Sequence, residues 1–148
     1  MDKRTAFRQL SALLTGVYGI ASESPDKQLY ESTADEYLRR LMGEFSAPLP
    51  KLLDAYQRLA SANPPPDIDD ALLGKLKAEP EFADPEVVSV AKQIVNIWYF
   101  SQFNTPSGSM VDGGLYERGL VWPLIKAHPI GYSDQRFGYW TKNPESNV

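Results

Sequence analysis

The stretch from Pro85 to about Phe103 limits what this chain can become more than any other part of it. Asp84 followed by Pro85 is a helix-opening signal, an N-cap side chain and then a ring whose missing N–H costs nothing at the first helical position. On a helix of about 3.6 residues per turn, Ser89, Gln93 and Asn96 fall on one narrow polar stripe. Val87, Val88, Val90, Ala91, Ile94, Val95, Ile97 and Trp98 cover most of the remaining circumference. A helix that is apolar on most sides has to be surrounded, by the rest of its own domain or by a partner. The remaining segments must therefore supply the walls.

Several of them have the pattern to do so. Phe7, Leu10, Leu13 and Leu14 fall at helical spacing within Thr5 to Thr15, and Gly16 is a natural stop. Ser24 and Pro25 repeat the cap-then-proline signal and open a second helix to about Met42, with Tyr30, Ala34, Tyr37, Leu38 and Leu41 on its apolar side and Phe45 just beyond. A third helix from Pro50 carries Leu52, Leu53, Tyr56, Leu59 and Ala60 and ends before Asn63, because Pro64 to Pro66 cannot continue it. Asp67 to Lys77 forms a shorter fourth helix with three aspartates at its positive end. Asn104 to Gly114 has loop chemistry, and Leu115 to Val121 can form a sixth helix before Pro123 kinks or restarts it. No segment alternates with period two, so no sheet is expected. The expected fold class is all-α, a single small helical domain spanning the 148 residues, with about five or six helices and an irregular, aromatic-rich C-terminal tail from His128 onward.

A chain of this length can bury roughly two thirds of its unfolded surface, so it needs no covalent staples. Cysteine is absent, which excludes disulfides, a thiolate nucleophile and Cys-ligated metal sites. A net charge of -4 and no Lys/Arg run longer than two residues argue against nucleic acid or an anionic membrane surface as partner. No apolar run approaches the ~20 residues that a spanning helix needs. The start, Met-Asp-Lys-Arg and a short apolar stretch from Leu10 to Val17, makes a poor secretory signal.

Catalytic groups are sparse. His128 is the only histidine, which leaves no multi-histidine metal site, and no nucleophile-elbow sequence accompanies it. Gly108, Gly113 and Gly114 lack the following Lys-Ser/Thr of a phosphate loop, and Asp67, Asp69 and Asp70 lack the glycine and closing glutamate of a calcium loop. The expectation is a chain without catalytic, cofactor or metal residues of its own. Its positive signal is aromatic: of 17 aromatic residues, 10 lie between Trp98 and Trp140, including every tryptophan. Large rigid aromatics on irregular backbone carry binding energy at protein interfaces, although they can equally roof the chain's own core.

The same residues carry a family resemblance. FRQLSALLTG at Phe7 to Gly16, NIWYF at Asn96 to Phe100, YERGLVW at Tyr116 to Trp122 and GYW at Gly138 to Trp140 resemble, in order and spacing, the small (gamma) subunit of bacterial membrane-bound FAD-dependent sugar and polyol dehydrogenases. The resemblance spans nearly the whole chain. It implies an accessory role beside a large FAD-containing catalytic subunit of the glucose-methanol-choline type, in sorbitol-, fructose-, glucose- or glucoside-type dehydrogenases, with a multihaem cytochrome c often accepting the electrons. In that family the small subunit holds no flavin and helps its partner fold. By this carry-over the partner-binding positions are Trp98, Tyr99, Phe100, Tyr116, Glu117, Trp122, Phe137, Tyr139 and Trp140. Alanine at Trp98 or Trp140 is then expected to weaken the complex by more than ~2 kcal/mol.

Two features depart from the family pattern. No export signal precedes Phe7, and the tail lacks the cysteine that members often carry before the final Gly-Tyr-Trp. The resemblance implies a periplasmic, membrane-associated complex if a signal was removed, and a cytoplasmic one if Met1 is the native start. The competing readings are a small stand-alone enzyme using His128 or Glu117 in an aromatic pocket, and a helical adaptor unrelated to redox chemistry.

Overall fold

The computed structural model describes residues 1–23 and 25–124. Helix dominates: α1 (Lys3–Thr15), α2 (Lys27–Glu44), α3 (Pro48–Ala60), α4 (Asp70–Lys77) and α5 (Pro85–Phe100) are followed by a hairpin of β1 (Gln102–Asn104) and β2 (Met110–Asp112), then by a short α6 (Val121–Leu124). The buried side chains form one cluster to which α1, α2, α3, α4, α5 and β1 all contribute. Within it α1 packs on α5, and α3 packs on both; Phe7, Leu10, Ala12 and Leu13 of α1 and Val87, Val90, Ile94, Ile97 and Trp98 of α5 are all buried there, with α2 and α4 adding further side chains. Among these α5 residues the burial is nearly complete, as the apolar circumference of that segment requires.

The local signals explain most of the helix ends. Gly16 adopts φ 75° and donates its N–H to the Ala12 carbonyl, closing α1 with a left-handed residue that glycine tolerates without strain. Asp84 accepts from the Glu86 N–H at 2.9 Å, capping α5 as its sequence indicates. The aspartates ahead of α4 divide the work: Asp69 caps the helix by accepting from Leu72 N at 2.9 Å, and Asp70 sits in its first turn. α4 therefore starts at Asp70 and not at Asp67. α2 begins at Lys27 rather than Pro25, after Asp26, whose side chain makes no cap bond.

Three further expectations need correction. α5 ends at Phe100, short of Phe103, because Ser101 turns left-handed at φ 53° and sends the chain back along the helix. The expected absence of sheet fails at this point. β1 and β2 pair antiparallel, Gln102 with Asp112, Phe103 with Val111 and Asn104 with Met110, around a turn in which Gly108 has φ 91°. Strands of three residues are too short to show a period of two, and only Phe103 of β1 is buried, against Phe45 at 6.1 Å between ring centroids. The sixth helix is not continuous over Leu115 to Val121. It splits into a 3-10 turn (Tyr116–Arg118) and α6, separated by Gly119, which the packing described below holds out of helix.

Candidate functional site

The C-terminal end of α5 leaves carbonyls without intrahelical partners, and the chain that follows is folded back onto them. The Ser101 N–H reaches the Ile97 carbonyl at 2.9 Å, and the Leu120 N–H reaches the Trp98 carbonyl at 2.9 Å. Gly119 lies so close that a Cβ there would stand 2.7 Å from the Tyr99 carbonyl oxygen. Ser101 organises the base of the hairpin. Its Oγ accepts from the buried Tyr37 hydroxyl at 3.2 Å and from the Leu115 N–H at 3.0 Å, and its carbonyl accepts from Gly113 N at 2.6 Å.

Two arginines lock this segment to α2. Arg40 donates to the Asp112 carbonyl at 2.8 Å and to Glu36 at 2.7 Å, and Arg118 donates to Thr33 at 3.1 Å. Hydrogen bonds from Arg39 and then Arg40 hold the Glu36 carboxyl down to about 2. Glu36 is 30% exposed, so solvent screens these pairs and their worth stays below about 1 kcal/mol. A carboxyl depressed on folding stabilises above its ordinary value of 4.5 and loses that contribution as pH falls through about 2. The stability advantage of the native chain over Glu36→Gln should therefore be level above about pH 5 and shrink towards zero near pH 2. Urea unfolding at successive pH values checks this, and a difference that ignores pH would show that Glu36 titration is not its source.

The aromatic positions separate into distinct classes. Trp98 is 1% exposed and belongs to the core, edge-on to Tyr37 at 5.2 Å and tilted against Tyr30 at 6.3 Å. Tyr99 is half-buried and its hydroxyl donates to the Thr15 carbonyl at 2.9 Å, satisfying the end of α1. Phe100 is 50% exposed and Tyr116 40%. Trp122 is half-buried, packs edge-on to Tyr116 at 5.3 Å and donates its Nε1–H to the Tyr116 carbonyl at 3.0 Å. Glu117 is exposed beside them. Phe137, Tyr139, Trp140 and His128 lie outside the described residues.

Met110 joins this surface without any warning in the sequence. It is 64% exposed and lines, with Phe100, Gln102 and Asn104, a shallow depression of about 210 Å³ beside the end of α5. A lone methionine among small polar loop residues has no periodicity to mark it, and only the hairpin register brings it level with Phe100. Met110 and Phe100 thus expose apolar side chains on one depression, and Tyr116 exposes its ring on the segment laid across the end of α5.

Three of the quoted motifs meet at this end of the molecule. FRQLSALLTG is α1 with its glycine stop, NIWYF is the last turn of α5, and YERGLVW is the segment laid across that turn. The Tyr99–Thr15 and Leu120–Trp98 hydrogen bonds join them directly. Among the described residues no group of three or more His, Cys, Asp or Glu side chains is placed to hold a metal ion, and no helix is long and apolar enough to cross a membrane. Compared with protein-family models, curated proteins and solved structures, the chain has no significant match.

Proposed function

We propose that the chain is a non-catalytic small subunit that binds, stabilises and helps fold the FAD-containing catalytic subunit of a sugar or polyol dehydrogenase of the glucose-methanol-choline type. The observation that carries this reading is the convergence of three sequence-distant motifs on one junction. A docking face needs rigid support behind its exposed rings, and this junction supplies it. Phe100, Met110 and Tyr116 supply exposed apolar area there, Trp122 and Glu117 flank it, and the buried Trp98 with the half-buried Tyr99 hold the backbone beneath. Phe137, Tyr139 and Trp140 extend the same proposal to the tail. Sugar oxidation and the flavin belong to the partner, and a multihaem cytochrome c is the proposed electron acceptor of the whole complex.

The test is co-expression with a large flavoprotein of that type, capture on this chain and an absorbance spectrum of the eluate. A flavin band at fixed stoichiometry is the expected result. A colourless partner would replace the reading with a helical adaptor unrelated to redox chemistry, and activity of the pure chain without flavin would replace it with a small enzyme. Alanine at both Phe100 and Tyr116 should weaken capture by about thirtyfold, the ~2 kcal/mol of an aromatic anchor, without lowering the unfolding midpoint. Unchanged capture in that double variant would place the docking face elsewhere.

A further inference from the structure

The opposite end of α5 carries a second surface that the proposed subunit contact does not use. The first turn of α5 and the link between α2 and α3 border an open groove of about 390 Å³, within the ~300–1,000 Å³ typical of ligand sites. Phe45, Ala47, Pro48 and Pro85 give it an apolar lining, and Pro106 reaches it from the hairpin turn. Ser89 and Pro85 are shared with a neighbouring depression that adds Phe82 and Val88 and ends at Lys92. An apolar strip therefore runs along α5, starting about 22 Å from Phe100 at Pro85 and ending about 12 Å from it at Lys92, at 1.5 Å of rise per residue.

The charges along this strip are unequal. Glu44 and Glu86 both line the first groove, both are exposed, and neither takes part in an ion pair among the described residues. Glu44 is the last residue of α2, where the helix dipole adds negative partial charge and repels a carboxylate. No ion pair within 4.0 Å offsets that placement among the described residues. Glu86 sits in the first turn of α5, where the helix dipole offsets part of its charge, so the groove presents an apolar floor with Glu44 as its less compensated carboxylate at one end and the positive Lys92 at the other.

We propose that this groove binds an extended segment of another protein that carries one or two arginines or lysines at one end of a short apolar stretch. The basic residues lie beside Glu44 and Glu86, the apolar ones cross Pro85 and Ser89 toward Phe82 and Val88, and Lys92 disfavours a second basic end. The contact is independent of the aromatic face at the far end of α5, so either can fail without the other.

A fluorescein-labelled peptide of two arginines followed by leucine, two prolines and leucine is a suitable probe, since the prolines keep it extended. Anisotropy titration of the full chain should show saturable binding that weakens as salt rises. A peptide with glutamates in place of the arginines should bind at least about tenfold more weakly, and Glu44→Gln/Glu86→Gln should weaken the basic peptide by about the same factor. Both glutamates are exposed, so the double variant keeps its fold, which circular dichroism verifies; Ser89→Trp, which fills the strip, should also block binding. Absence of saturable binding, equal binding of the two peptides or an unchanged double variant would overturn the proposal. So would a dimer in sedimentation that the double variant abolishes, which would assign the groove to a second copy of this chain.

Discussion

Trp98→Ala is expected to destabilise the isolated chain by about 3–5 kcal/mol, the usual cost of emptying a large aromatic site in a packed core. Trp98 is 1% exposed and wedged between Tyr37 and Tyr30, so the neighbours cannot close the space without moving α2. Among the described residues its buried indole Nε1 has no hydrogen-bond partner, so within them the truncation forfeits packing and no hydrogen bond. Trp98→Phe should therefore cost much less, about 1 kcal/mol, because it removes that unpaired donor while keeping a ring in the site. Urea unfolding followed by circular dichroism measures both. A loss below about 1 kcal/mol for the alanine variant would mean that the tryptophan does not occupy the centre of the core. Any fall in partner capture by Trp98→Ala should follow the folded fraction, which separates this core residue from Phe100 and Tyr116.

The second large effect is expected at Gly119. Its backbone, φ -58° and ψ 133°, is open to any residue, so alanine meets no conformational penalty there. The obstacle is space: the new Cβ would stand 2.7 Å from the Tyr99 carbonyl oxygen and 3.4 Å from that of Tyr116. Both are backbone atoms and neither can swing aside. Gly119→Ala should cost about 1–3 kcal/mol by overpacking and lift the Tyr116–Trp122 segment from the end of α5. Amide hydrogen exchange at Leu120, whose N–H is bonded to the Trp98 carbonyl, reports the lifting directly. Gly43→Ala is the control. Gly43 lies in α2 with nothing within 4 Å of the added carbon, so the same substitution there should stabilise by up to about 1 kcal/mol. Equal effects at the two glycines would show that the close approach to Tyr99 does not constrain the segment.

The candidate site was legible in part. The sequence concentrates aromatic residues after Trp98, and YERGLVW and NIWYF are two segments that the structure brings into contact. Sequence could not tell Trp98 from Phe100, two residues along the same helix. Helical spacing puts them about 200° apart, and which side faces inward depends on Tyr37 and Tyr30 arriving from α2. Ser101 escaped notice, and Arg40 read as part of a solvated Arg39-Arg40 face, for a related reason. Each owes its place to a contact made across a long separation in the chain, as in the Arg40 bond to Asp112 and the Ser101 bond with Tyr37.

Several helix ends were set by the sequence alone, because their causes are local: Asp84 and Pro85 open α5, Gly16 closes α1, and Pro64 to Pro66 keep α3 from running on. The apolar circumference of α5 likewise demanded a central position before any neighbour was known. What surrounds it, the left-handed turn at Ser101, the three-residue strands and the break at Gly119 were decided by tertiary structure. These depend on satisfying the free carbonyls at the end of one helix with N–H groups from a distant segment, and no local pattern encodes a partner that only folding brings near.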